Sequence, residues 1–276
     1  MEKVKTAERV AVLVTGANGG MGRATVRMLA EMGYTVFALD REVGEPLENV
    51  IPIKADVTSE ESVAEAMRLV AERTERLFAV IHYAGVYMLD SLVEMDSESF
   101  RRIFEIHLFG VYLVNKAVMP LLASGSRILI TTSELAPLDP LPFTGIYAVT
   151  KGALDKYAYS LRMELQLLGV SVSVLRAGAV DTGMIGASTD ALDRFCKKTA
   201  LYTCNADRFK RIVDGVEARR IPTEKLAKRT IKIITRRSPR FAYCINRNPL
   251  LLLLNALPTR LQLFAIRMIL RSKNKK

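Results

Sequence analysis

The run VAVLVTGANGGMG at residues 10–22 decides how this chain folds. Residues 10–14 are an apolar run of strand length, Thr15 and Gly16 end it, and a helix-like segment over 22–32 follows, with Gly33 as its stop. Strand, glycine turn and helix in that order present unpaired backbone N–H groups and a positive helix end to a phosphate. A glycine turn also has purely conformational uses, but the flanking strand and helix point to a nucleotide. The next strand, residues 34–39, ends at Asp40, 18 residues after Gly22. An acid at the tip of the second strand of a βαβ unit accepts hydrogen bonds from ribose hydroxyls and repels a 2′-phosphate, which favours NAD over NADP. Arg41 follows directly and has the opposite preference, and a solvated strand end is the plain alternative for Asp40.

Strands and helices keep alternating beyond this unit. Residues 50–54 read as a third strand, and Asp56, Val57 and Thr58 lead into a helix over 59–74, with Thr58 and Glu61 spaced as a capping box. Asp56 is either a loop acid or a contact to an adenine edge. Residues 78–81 form a fourth strand that runs into His82, Tyr83, Ala84 and Gly85, where a glycine lets backbone lie against a flat ligand. One long helix is expected over 97–122, closed near Pro120, with His107 and Gly110 in its middle. Residues 127–132 make a fifth strand that delivers Ser133, 14 residues before Tyr147.

Tyr147 and Lys151 stand four apart, so on a helix they share a face. A cation beside a phenol favours the phenolate and brings proton exchange toward neutrality. The same spacing also occurs as a solvated pair. Ser133, at a strand end, can donate to an oxygen that Tyr147 also reaches, so three groups converge.

These pieces resemble the short-chain dehydrogenase/reductases, in particular the members that act on hydroxysteroids and retinol: TGANGGMG at 15–22, Asp56-Val57, Ala84-Gly85, Ser133, Tyr147-x-x-x-Lys151 and Ala177-Gly178-Ala179-Val180-Asp181-Thr182, in register from about residue 10 to 185. The resemblance implies an α/β three-layer, doubly wound Rossmann fold with a seven-stranded parallel sheet in the order 3-2-1-4-5-6-7. It implies an NAD(P)-dependent oxidoreductase with NAD as cofactor in preference to NADP and no metal. Gly16, Gly20 and Gly22 would lie under the pyrophosphate, Asp40 would meet the ribose, Asp56 and Val57 the adenine and Thr182 the nicotinamide amide. Thr15, Asn18, Met21, Arg41, Tyr83, Ala84, Gly85, Gly178 and Val180 would also be cofactor-binding residues. Tyr147 would exchange the proton, Lys151 lower its pKa and hold the ribose, and Ser133 orient the reacting oxygen. Three departures stand out: His82-Tyr83 replaces an Asn pair, His107 replaces a helix Asn that holds a water in the proton path, and Ala177 replaces a proline. A histidine there is expected either to serve the relay and titrate near pH ~6.5 or to be a packed core side chain.

A chain of 276 residues with 50% hydrophobic content buries a large core, read here as one domain over 1–276. The polar start runs straight into the first strand, so no secretory signal or transit peptide is expected, and three cysteines without CxxC spacing suggest a reducing, cytoplasmic setting. The net charge of +11 is concentrated late: residues 1–204 hold 21 Lys+Arg against 25 Asp+Glu, and 205–276 hold 19 against 4. No nucleic-acid motif accompanies it, so nucleic acid is not an expected partner. Residues 184–205, of mixed composition, are expected to be a mobile flap over the site. A basic helix is expected over 223–235 and a last strand over 241–245. The extension 246–276 combines a leucine run with Arg260, Arg267 and Arg271 on one face and terminal Lys273, Lys275 and Lys276, too short to span a bilayer yet suited to peripheral membrane contact. Closure of a pocket or a subunit contact is the alternative. The expected substrate is a hydrophobic alcohol or its carbonyl, and the expected assembly a homodimer or homotetramer. A catalytically silent dinucleotide-binding regulator on the same fold is the alternative function.

Overall fold

The computed structural model describes residues 10–203, 205, 208–212 and 219–271. Cys204, Lys273, Lys275 and Lys276, singled out in the sequence, lie outside the described residues. Strands β1 (Ala11–Thr15), β2 (Thr35–Asp40), β3 (Val50–Lys54), β4 (Ala79–His82), β5 (Arg127–Ser133), β6 (Ser171–Ala177) and β7 (Ala242–Ile245) pair in parallel as one sheet in the order β3-β2-β1-β4-β5-β6-β7. The doubly wound, seven-stranded arrangement is the one expected.

Alternation along the strands builds two cores, one on each face of the sheet. Ala11 and Leu13 of β1, Val80 of β4, Ile128 and Ile130 of β5 and Val172 and Val174 of β6 face one layer. There they meet α2 (Glu60–Ala71), α4 (Gly110–Val118) and α5 (Gly145–Leu165) through Val63, Val114 and Leu154 among others. Val12, Val14, Ile81, Leu129 and Leu175 face the other, against α1 (Gly20–Glu31) and α7 (Thr223–Ile234). Helices α3 (Ser97–Phe104) and α6 (Gly183–Lys198) complete the body, followed by α8 (Pro249–Asn255) and α9 (Thr259–Leu270).

Helix α1 stops as expected: Gly33 has φ +85°, Tyr34 N–H reaches Leu29 O at 3.1 Å and Gly33 N–H reaches Ala30 O at 2.9 Å, a left-handed cap that glycine adopts without strain.

Three local expectations are corrected. Helix α2 is capped by Ser59, which accepts from Ser62 N–H, and Thr58 turns its hydroxyl to Asp56 instead of forming a capping box with Glu61. The helix expected over 97–122 is not uniform: residues 105–109 form a π-helical turn between α3 and α4. Residues 183–198 of the expected flap are helical, and the helix end is held by Glu94, which accepts from Thr199 Oγ1 at 2.7 Å and from the N–H groups of Ala200 and Leu201.

Candidate active site

The turn after β1 sits where the strand order reverses between β1 and β4, the position at which an open parallel sheet leaves a crevice. Glycine is required there. Gly16 has φ +66°, and a Cβ on it would lie 2.5 Å from Ala84 N; a Cβ on Gly22 would lie 2.1 Å from Gly16 O, and one on Gly20 would lie 2.7 Å from Thr182 Cγ2. Beside this turn runs a groove of about 1640 Å³ lined by Asn18, Met21, Asp40, Arg41, Asp56, Val57, Ala84, Gly85 and Thr182. The three glycines let the turn close on itself and against Ala84 and Thr182, and the groove beside it, with Asp40 and Asp56 in its wall, is large enough to fit a dinucleotide.

Asp40 is fixed at the tip of β2. Its two carboxylate oxygens accept from Asn18 N–H at 2.9 Å and Arg41 N–H at 2.8 Å. The Asp56 carboxyl is held below the usual range, first by the Thr58 hydroxyl and then by the Thr58 N–H, with Arg41 and Arg102 adding favourable charge.

Behind Gly85 and Tyr87 of the groove wall, three side chains gather from two elements. Ser133 closes β5, and Tyr147 and Lys151 lie on the inner face of α5; all three are buried. The Tyr147 phenol hydrogen-bonds Ser133, whose Oγ also accepts from Leu135 N–H at 3.2 Å. The Lys151 ammonium lies 5.8 Å from the Tyr147 ring centre and donates to Thr131 O at 3.4 Å. It borders the groove through Gly85, where a Cβ would come within 3.6 Å of its Nζ. Tyr87, which the sequence reading did not single out, lines the groove and packs on Tyr147 with ring centres 4.9 Å apart. Nothing in its spacing signals that role.

Burial, rather than the neighbouring cation, sets the protonation of this cluster. The Tyr147 phenol is pushed above its ordinary value by desolvation, then by Tyr87, with the Ser133 hydrogen bond acting the other way. The lowering by Lys151 expected from the i, i+4 spacing is not seen: burial dominates, and the one group that lowers the phenol is Ser133. Lys151 itself is pushed down to about 8 by burial. At neutral pH the phenol is therefore protonated and the ammonium charged.

His107 lies in the π-helical turn, the kind of local widening that re-aims a side chain within a helix. Its Nδ1 is 2.9 Å from Thr150 Oγ1, and its Nε2 is 2.9 Å from Val86 O and 3.1 Å from Val86 N. Thr150 in turn donates to Tyr147 O at 2.9 Å, and the His107 and Tyr147 rings meet edge to face at 5.6 Å. The expectation that this histidine titrates near pH 6.5 is corrected. Burial, and then the charge of Lys151, hold its pKa well below that, so the ring is neutral.

Some expected contacts to a cofactor are spent elsewhere. Thr15 is buried and its hydroxyl accepts from Ala84 N–H at 3.4 Å, tying β1 to the end of β4. Tyr83 touches the groove, but its phenol is held between Thr25 at 3.0 Å and Thr230 at 2.5 Å, and burial pushes it up to about 12. Its neighbour His82 points to the opposite layer and meets Asn115 Oδ1 at 2.9 Å, as alternation along a strand requires. Of the segment after β6, Thr182 reaches the groove. Gly178 packs on Asn246, where a Cβ would lie 2.0 Å from its carbonyl oxygen, and the buried Val180 pairs with Ile221.

Residues 10–193 match the family model described as short chain dehydrogenase. The chain belongs to the short-chain dehydrogenase family. It is 34% identical over 203 residues to estradiol 17-beta-dehydrogenase 2 of Mus musculus, covering 69% of this chain and 53% of that protein. The chain thus spans about half the length of that relative. It is 26% identical over 231 residues to the 3-ketodihydrosphingosine reductase of Bacteroides thetaiotaomicron, covering 83% and 85% of the two chains. The crystal structure of a short chain dehydrogenase family protein from Francisella tularensis superposes with a TM-score of 0.73 at 20% identity, covering 86% of this short-chain dehydrogenase and 97% of that chain.

Proposed function

We propose that this short-chain dehydrogenase is an NAD(P)-dependent oxidoreductase that interconverts an alcohol and its ketone or aldehyde on a hydrophobic, steroid-, retinoid- or lipid-like molecule. The observation that carries the reading is the buried cluster of Ser133, Tyr147 and Lys151, which meets, through Gly85 and Tyr87, a groove also lined by Gly16, Gly20 and Gly22. A nicotinamide dinucleotide, when bound, supplies or accepts the hydride; the chain supplies position and a proton. Gly16, Gly20 and Gly22 receive the pyrophosphate, Asp40 the ribose hydroxyls, Asp56 the adenine edge and Thr182 the carboxamide. NAD is preferred, because the Asp40 carboxylate is fixed by two backbone N–H groups at the strand tip, where a 2′-phosphate would meet its charge.

Ser133 donates to the reacting oxygen and Tyr147 exchanges its proton. Lys151, charged at neutral pH, offsets the cost of a buried phenolate when that proton leaves. His107 serves as a neutral bridge between Val86 and Thr150 that sets the position of the helix turn carrying Tyr147. An apolar substrate is supported by the walls around Tyr147, which include Met88, Met95, Phe104 and Leu135. The names of the two relatives, which specify an estradiol and a ketodihydrosphingosine, point the same way. The chain acts as a single domain, in the cytoplasm, as a homodimer or homotetramer, with 246–276 in peripheral contact with a membrane.

Turnover followed by NADH absorbance over a panel of steroid, retinoid and aliphatic alcohols, with NAD and NADP in parallel, tests the reading. Tyr147→Phe should remove turnover while leaving NAD binding close to unchanged. Full activity in that variant would refute the assignment.

A further inference from the structure

The last two helices are built inside out. In α9 the side chain turned into the body is the polar Gln262, 5% exposed, whereas Phe264 is 63% exposed and Leu261 and Met268 are more than half exposed. At 3.6 residues per turn, Leu261, Phe264 and Met268 form one outward row, and Arg260, Arg267 and Arg271 form a second row beside it. Helix α8 and the turn after it add exposed Leu250, Leu253 and Leu257. A contiguous apolar face rimmed by cations marks an interaction surface.

The same two helices are fastened to residues 205 and 208 and to the end of β5. Asn205 Nδ2 donates to Leu270 O at 2.6 Å, and Arg208 donates to Arg271 O. Leu270 packs on the cluster of Phe143, Phe195 and Phe209, and Tyr87 belongs both to that cluster and to the wall around Tyr147. At the other end, Asn248 N–H donates to the buried Glu134, the residue after Ser133. Apolar side chains thus run without interruption from the inner side of α9 to the reacting phenol.

We propose that the outward face of α8 and α9 lies in the surface of an anionic lipid bilayer, with its leucine and phenylalanine row in the acyl boundary and its arginine row at headgroup phosphates. This rests on the peripheral-membrane reading above and specifies its surface, its lipid chemistry and the side of the molecule that meets the bilayer. Charge complementarity chooses the occupant. Among the described residues, no helix is long and apolar enough to cross a membrane, and an amphipathic helix with arginines beside its apolar row matches an interface whose phosphates are anionic. In a symmetric pairing with a second copy, like rows of arginine would be brought toward each other, which disfavours that occupant. Docking in this orientation turns the aromatic cluster toward the bilayer, so an apolar alcohol enters from lipid rather than from water.

The test is co-sedimentation of the full chain with phosphatidylcholine vesicles made with and without phosphatidylserine. Size-exclusion chromatography and NADH turnover on a water-soluble alcohol are measured in parallel. The wild type should sediment with the anionic vesicles, and far less with the neutral ones. Leu261→Glu/Phe264→Glu, at positions already in water, should fold normally and lose binding at least tenfold with turnover unchanged. Arg260→Gln/Arg267→Gln should lose about fivefold per arginine on anionic vesicles alone. Wild type that binds while the glutamate variant binds equally would keep the peripheral reading and overturn this surface. Wild type left in the supernatant with both vesicle types would overturn both, as would a glutamate variant that instead dissociates a dimer. Equal binding to neutral and anionic vesicles would overturn the role of the arginine row. None of these outcomes depends on the alcohol chemistry.

Discussion

Lys151→Met should make the protein more stable and useless as a catalyst at once. The Lys151 ammonium is buried, and its pKa falls from the ordinary 10.5 to about 8. At about 1.4 kcal/mol per pH unit, that drop is a cost of about 3 kcal/mol for keeping the charge inside the fold at neutral pH. The sign follows from proton counting. Between about pH 8 and 10.5 the unfolded chain holds the proton and the folded chain has lost it, so stability rises with pH through that window. Below about 8 both states are protonated and the cost is borne in full. Methionine has similar length and no charge, and the bond forfeited, to Thr131 O, is long at 3.4 Å. Urea unfolding of wild type and variant should therefore differ by about 3 kcal/mol in favour of the variant near pH ~7, and the gap should close toward pH ~10.5. Turnover should be lost throughout. A variant less stable at neutral pH, or a gap that does not change with pH, would refute the claim that burial governs this amine.

Three further outcomes follow from the same structure. Gly22→Ala places a Cβ 2.1 Å from Gly16 O and should destabilise by about 2 kcal/mol or more, with loss of dinucleotide binding by fluorescence; a wild-type melting curve would sink the close-approach argument. His82, held neutral by burial with its pKa down at about 4, should cost about 3 kcal/mol of stability as pH falls from 6.5 toward 4, because the unfolded chain takes up that proton first. His82→Gln should flatten the acid limb, and an unchanged limb would show that the ring is solvated. His107→Asn should retain turnover and leave the shape of the pH–rate profile between about pH 5 and 8 unaltered, since a neutral ring contributes no ionisation there; a displaced limb would restore the titrating relay.

Much of the site was legible before any coordinates. The glycine turn, Asp40 at a strand tip, Ser133 at a strand end and the Tyr147/Lys151 spacing are local patterns, each tied to one element; the structure lines one groove with the first two and sets the other three side chains behind its wall at Gly85 and Tyr87. Thr15, Tyr83, Gly178 and Val180 were grouped with the cofactor residues because they belong to the same motifs. Their partners are Ala84, Thr230, Asn246 and Ile221, up to 147 residues away in the chain, which no local pattern encodes. The α6 helix is not legible because residues 184–198 are of mixed composition, and the contacts that fasten the turn after it run to Glu94, about a hundred residues earlier.

By itself, then, the sequence determined the order of strands and helices, the class of chemistry and which side chains share a face, because periodicity and turn residues act over a few positions. Tertiary structure decided which of those side chains titrate and in what direction. Tyr147, Lys151, His82 and His107 are desolvated by several elements at once, and desolvation is a property of everything packed around a group rather than of its neighbours in sequence.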